Sequence, residues 1–328
     1  MTTTATSHLF KTRSGLQPLS EKEKMKLVTY RATVEAEARL GVIKDDLVID
    51  VEALGDAHGT ELPDTMLDLI DAGKPALAAL AEMIADDILP VNTSVPASTV
   101  VLCAPIPRPR KNIWGIGLNY TEHVAESARA LDTSKDLPQQ PVLFTKPPTA
   151  VIGPNEPILH DSTMTQQLDW EVELAVIMAS GGKHIAKEDA MNHVFGYTVL
   201  IDVSARDNRR SGQWIFSKGQ DSFAPMGPCV VTADELDGSN LDLWLTKNGE
   251  EKQRSNTQFL LFSIPELIAD ISTGMTMEPG DIIATGTPAG VGAGRDPQEW
   301  MWPGDTIVAC VEGIGSIRHP IVDATPFR

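Results

Sequence analysis

Cysteine is scarce in this chain: three in 328 residues, at positions 103, 229 and 310. They form no CxxC pair, no zinc spacing and no disulfide framework, and read as small buried hydrophobes. Long apolar runs are missing as well. None approaches the roughly 18 residues of a membrane-crossing helix, and the opening MTTTATSHLFKTRSG has no apolar stretch of the secretory kind. A cytoplasmic protein is expected. Positive charge is in short supply, since 27 Lys and Arg against 45 Asp and Glu leave a formal net charge of −18. Such a surface repels nucleic acid and anionic membrane, so neither is an expected partner. An anionic small molecule stays compatible wherever basic residues gather locally.

The remaining composition is that of a globular protein, 42% apolar and 22% charged, long enough for a large domain and a smaller one. Residues 1–24 are polar and expected to be loosely ordered. From Leu27 the text is β-rich, with a turn at Lys44-Asp45-Asp46 suited to a hairpin. Residues 64–87 have helical periodicity broken near Gly73 and Pro75, which predicts two short helices. The proline-rich CAPIPRPRKN marks the crossing into a second domain, giving a small N-terminal α+β domain over 1–104 and a main domain over 105–328. Short strands dominate after the junction, and SIPELIADISTGM is an exception, with Ser263, Pro265 and Glu266 as start signals for a helix. Strand–helix alternation is absent, so the expected class is β-rich α+β, a roll rather than a doubly wound sheet.

Three acids stand out. Glu171 and Glu173 in LDWEVELAVIM share a strand face with Asp169, and Asp202 follows in the apolar YTVLIDVSARD. Burying neighbouring carboxylates costs several kcal/mol unless something neutralises them. A hard divalent cation does so, and carboxylate oxygens suit magnesium, manganese or calcium. In GIGLNYTEHVAES, His123 and Glu126 lie three apart on one helix face, where the carboxylate can orient the imidazole as a general base. Arg206, Arg209, Arg210 and Lys218 gather just after Asp202 and can hold a substrate carboxylate beside the cation. The glycine-rich ATGTPAGVGAG offers backbone amides for close approach to a ligand, and Thr287 offers a hydroxyl.

GLNYTEHVAE, PVLFTKPPTAVIGPNEPI, LDWEVELAVIM, FGYTVLIDVSARD, FSKGQDSFAPMGP, MTMEPGDIIATGTPAGVG and GDTIVACVEGIG, in this order, resemble the fumarylacetoacetate hydrolase family over about residues 103–328. The resemblance implies a mixed β-sandwich roll, assembled as a homodimer. It implies a magnesium-type ion on Glu171, Glu173 and Asp202, a water-activating dyad of His123 and Glu126, and Lys218 beside the metal. It makes Arg206 the substrate-gripping arginine, Thr287 a substrate contact, and Lys146 a residue of the substrate vicinity. Arg209 stands where many relatives have Gln, which suits a more anionic or differently placed substrate group. The stretch between Glu126 and Phe144 is often a mobile lid in the family. The activity expected is hydrolytic cleavage of a carbon–carbon bond in an acylpyruvate or related β-diketo acid. His123 would deprotonate the attacking water, and Lys218 would stabilise charge or deliver a proton. The rival expectations are an isomerase or decarboxylase of a 2-oxo or 2-hydroxydienoic diacid, a keto-deoxy sugar acid enzyme, and a non-catalytic binding protein.

Overall fold

The structure is a computed structural model and describes residues 24–85, 89–130 and 136–324. The polar start and part of the expected lid, 131–135, lie outside the described residues.

Strands Lys26–Arg31, Arg39–Lys44 and Leu47–Asp50 form a meander. The expected hairpin closes with Lys44 opposite Leu47, and Asp45 takes the left-handed φ of 53° that so tight a turn requires. Asp50 ends the third strand and caps helix α1 (Val51–His58), accepting from the Ala53 amide at 2.8 Å. Helix α2 (Met66–Ile84) is two pieces, as its sequence predicts. Gly73 leaves helical geometry at φ 65°, ψ −152°, and Pro75 sits at the start of the second piece, where its missing N–H has no partner to lose.

The largest sheet runs, in spatial order, through Ser94–Pro96, Leu47–Asp50, Arg39–Lys44, Lys26–Arg31, Ala224–Thr232, Val194–Ile201, Val172–Met178, Ile282–Ala284, Ile113–Gly117 and Val142–Lys146. It is mixed: Val172–Met178 lies antiparallel to Val194–Ile201, whereas Ile282–Ala284 lies parallel to Ile113–Gly117. The N-terminal meander belongs to this sheet and joins it through Lys26 opposite Val231 and Leu27 opposite Val230. A five-stranded sheet that includes Asp242–Lys247, Thr306–Val311 and Gly315–Asp323 packs across its middle. The two central strands, VELAVIM and VFGYTVLI, are therefore buried at every position. Any polar side chain on them is forced into the interior, and that is how acids come to be inside. The result is the β-rich α+β architecture expected.

Three helices complete the main body: α3 (Thr121–Ala130), the single turn α4 (Ile215–Lys218) and α5 (Ile264–Gly274). Helix α5 starts where the sequence places it, with the Ser263 amide and hydroxyl both donating to Glu266 Oε2, at 2.8 and 2.6 Å. Asn119 fixes the entry to α3. Its Nδ2 donates to the carbonyls of Thr285 (2.8 Å) and Phe262 (3.1 Å), and its Oδ1 accepts from the Phe262 amide (2.7 Å). Leu118, in left-handed backbone at φ 58°, turns the chain from the strand into the helix. Among the described residues no helix is long and apolar enough to cross a membrane.

Candidate active site

Register brings the acids together. Val172 pairs with Ile201, and the Asp202 amide donates to the Glu171 carbonyl at 2.8 Å, so Asp202 lies directly across from Glu171 at the strand ends. Carboxylate oxygens of Glu171, Glu173 and Asp202 lie within 4.8 Å of one another, and all three residues are buried. Glu171 accepts from Arg206 Nη2 (2.5 Å) and Lys218 Nζ (2.8 Å). Asp202 accepts from Lys218 Nζ at 2.6 Å and from Lys146 Nζ. Glu173 Oε2 accepts from the Gly286 amide at 2.8 Å, while its Oε1 is buried with no partner in the protein.

That orphan oxygen decides the chemistry of the cluster. An unmatched buried carboxylate oxygen costs about 1–3 kcal/mol or more, and a bound cation would satisfy it. Burial, then the charges of Asp202 and Glu171, push the Glu173 carboxyl well above the usual range. Glu171 goes the other way: burial would raise it, but Lys218, Arg206 and His123 hold it below the usual value. The hard, all-oxygen donor set fits a divalent ion of the magnesium, manganese or calcium kind, with Glu173 supplying the least satisfied ligand.

The expected base lies on α3. His123 Nδ1 stands 3.2 Å from Glu126 Oε2, and both side chains are buried. Glu126 is held from behind by the Gly290 amide at 3.0 and 3.2 Å. A carboxylate facing Nδ1 makes that nitrogen the protonated one, which leaves Nε2 with its lone pair. His123, Glu171, Arg206, Arg209, Lys218 and Thr287 line one cleft, together with Ser127, Ser204 and Trp214.

The family model described as fumarylacetoacetate (FAA) hydrolase C-terminal matches residues 112–322. The chain belongs to the fumarylacetoacetate hydrolase family. It is 38% identical over 311 residues to the mitochondrial oxaloacetate tautomerase FAHD2A of Bos taurus, covering 93% of this chain and 94% of that protein. It is 43% identical over 226 residues to the oxaloacetate tautomerase YisK of Bacillus subtilis, covering 68% and 74%. Among solved structures it resembles maleylpyruvate hydrolase from Sphingobium sp. SYK-6 in complex with manganese(II) and pyruvate. That match has a TM-score of 0.73 and 31% identity, and covers 91% of this chain and 99% of the other. Membership makes the chain one of an enzyme family whose named members include both tautomerases and hydrolases.

Within this family member, the residues singled out from sequence take unequal places. Lys146 is fully buried behind Asp202 and donates also to the carbonyls of Val203 (3.3 Å) and Lys218, away from the cleft. Arg206, expected to grip substrate, is held by two acids: Nε donates to Asp169 at 2.8 Å and Nη2 to Glu171. Arg209 is half-buried, stacks over Trp214 with its Cζ 5.0 Å from the ring centroid, and has no ion pair among the described residues. The Thr287 hydroxyl donates to the Val172 carbonyl (2.9 Å) and accepts from Gln253 Nε2 (2.8 Å).

Two features depart from the sequence reading. Asp169 does not lie on one continuous strand with Glu173, because the strand breaks at Trp170 and Glu171. Its carboxylate instead accepts from the Gly292 amide (2.6 Å) and the Ala293 amide (3.0 Å) as well as from Arg206. The glycine-rich loop was expected to meet a ligand with its amides. Those amides meet the protein's own acids: Gly286 holds Glu173, Gly290 holds Glu126, and Gly292 and Ala293 hold Asp169. Neither arrangement has a local signal, since the partners lie more than 110 residues apart in the chain.

Proposed function

We propose that this protein is a metal-dependent tautomerase of oxaloacetate or a closely similar small 2-oxo diacid. It would move a proton between the carbon beside the carbonyl and the carbonyl oxygen. The observation that carries the reading is a three-carboxylate cradle with an unsatisfied oxygen sharing one cleft with a carboxylate-backed imidazole. Two relatives named oxaloacetate tautomerases support the substrate class, and the manganese- and pyruvate-bound neighbour supports a small keto acid beside a divalent ion.

A divalent cation on Glu171, Glu173 and Asp202 supplies Lewis acidity to the substrate oxygens. His123 Nε2 takes the proton from the carbon in one direction and returns it in the other, with Glu126 keeping Nδ1 protonated. Lys218 stays cationic: burial would lower its pKa, but Asp202 and Glu171 hold it above the ordinary value. Its ammonium donates to the oxygen where negative charge gathers and delivers the proton there. Arg209, with no acid of its own, takes the substrate's far carboxylate, while Arg206 holds Glu171 in place. Thr287 shapes the wall, and Lys146 balances Asp202 from behind.

The test is decay of the enol absorbance of oxaloacetate, with magnesium or manganese and with EDTA. Cation-dependent decay without pyruvate or carbon dioxide is the expected result, and Glu171→Ala and Asp202→Ala should lose both cation binding and activity. If those variants keep metal and turnover, the assignment fails. The second reading is hydrolysis of a carbon–carbon bond in an acylpyruvate, which the same His123–Glu126 dyad favours by its capacity to activate water. Release of pyruvate plus a carboxylic acid from an acylpyruvate panel would select it, and carbon dioxide from oxaloacetate would select a decarboxylase.

A further inference from the structure

His123, Glu126 and Ser127 share one face of α3, three and four residues apart. Glu126 is on the Nδ1 side of the imidazole, and the Ser127 hydroxyl is 3.4 Å from Nε2. Ser127 is 1% exposed, yet it lines the same cleft as His123, Lys218 and Arg209. Carboxylate, imidazole and hydroxyl thus follow in the order that activates a serine in acyl transfer. A nucleophilic serine also needs amide donors for an oxyanion. Four amides of the nearby loop are already committed, those of Gly286, Gly290, Gly292 and Ala293, which hold Glu173, Glu126 and Asp169. The hydroxyl is placed for proton transfer instead.

We propose that Ser127 is the proton relay of the base and the residue that turns the site toward tautomerisation and away from hydrolysis. The inference rests on the tautomerase reading and extends it. When the substrate C–H bond breaks, its proton passes to Ser127 Oγ while the Oγ–H proton passes to His123 Nε2. The C–H electron pair becomes the double bond of the enolate. The return step reverses each transfer, with no net gain or loss of electrons. A hydrolytic reaction needs a water at the position beside Nε2. Here a tethered hydroxyl holds that position, so no oxygen is free to leave His123 and attack the substrate.

The experiment measures two rates on wild type and on Ser127→Ala: enol-to-keto conversion of oxaloacetate, and pyruvate release from an acylpyruvate, both with saturating magnesium. Removing the hydroxyl opens a space the size of a water. Ser127→Ala should lower tautomerisation about 100-fold, within the range of a lost acid–base group, and raise the ratio of hydrolysis to tautomerisation. Ser127→Thr, which keeps a hydroxyl, should recover tautomerisation. Independently of any variant, a proton inventory of wild-type ketonisation in mixed H2O and D2O should curve, because two exchangeable protons move together. An unchanged rate and product ratio in Ser127→Ala, or a linear inventory, would overturn the relay and leave the tautomerase reading standing. A wild type that hydrolyses acylpyruvates and ignores the enol would overturn both, since water would then have reached Nε2.

Discussion

At the scale of single residues, Glu173 and His319 carry opposite lessons about burial. Glu173 has one oxygen with no partner among three crowded acids, so the cation-free protein either buries an uncompensated charge there or takes up a proton at a cost. Glu173→Gln removes that cost and keeps the shape. The metal-free variant should be more stable than metal-free wild type by roughly 1–4 kcal/mol, whereas magnesium or manganese should stabilise wild type more than the variant. Thermal melts with and without cation decide it. His319 is remote from this chemistry, with Nδ1 2.8 Å from the Glu156 carbonyl and Nε2 buried without a partner. Burial pulls its pKa down from 6.5 to about 4. The unfolded chain therefore binds a proton before the folded one does. Its contribution is whole above pH 6.5 and is lost as pH falls toward 4, a loss of about 3 kcal/mol. Denaturant unfolding at pH 7 and pH 4 should give His319→Gln a smaller drop than wild type.

At the scale of elements, the loop after Ile282–Ala284 governs the site. Its amides fasten a cradle acid, the partner of the base and, through Asp169 and Arg206, a second cradle acid. A Cβ added at Gly294 would fall 2.1 Å from the Glu126 carboxyl carbon. Gly294→Ala should shift Glu126 and cost about 100-fold in turnover, with metal affinity unchanged, as titration calorimetry would register. This loop also marks the limit of what was legible in the chain. Acids inside apolar strands are conspicuous because burial makes them costly, so Glu171, Glu173 and Asp202 could be named from their surroundings. The spacing of His123 and Glu126 is local and equally readable, as are the break at Gly73 and the start at Ser263. Which acid each loop amide would meet depended on contacts across more than 110 positions. Arg206 was visible as a cation near the site, but its two partners were not, since one of them lies before a strand break that alternation does not predict.

At the scale of the whole molecule, net charge and sheet continuity act together. With −18 overall, Arg209 is a local exception: Arg206 and Lys218 are each paired with two acids, and Arg209 lines the same cleft with no ion pair among the described residues, the position the proposed anionic substrate would use. The division of the chain near 104 and 105 remains our proposal for its organisation. The strand Lys26–Arg31 covers the outer side of Ala224–Thr232 at Val230 and Val231. Ala224–Thr232 is nearly wholly buried; Val151–Ile152 pairs with its start, and on the side away from Lys26–Arg31 it pairs with the strand that leads to Asp202. A chain shortened to begin at 105 would leave its chemistry formally intact and strip that cover. The bared backbone would be an open template for a second molecule. Such a protein should elute from a sizing column as larger species that grow with concentration, so the first hundred residues would act as a built-in guard against self-polymerisation.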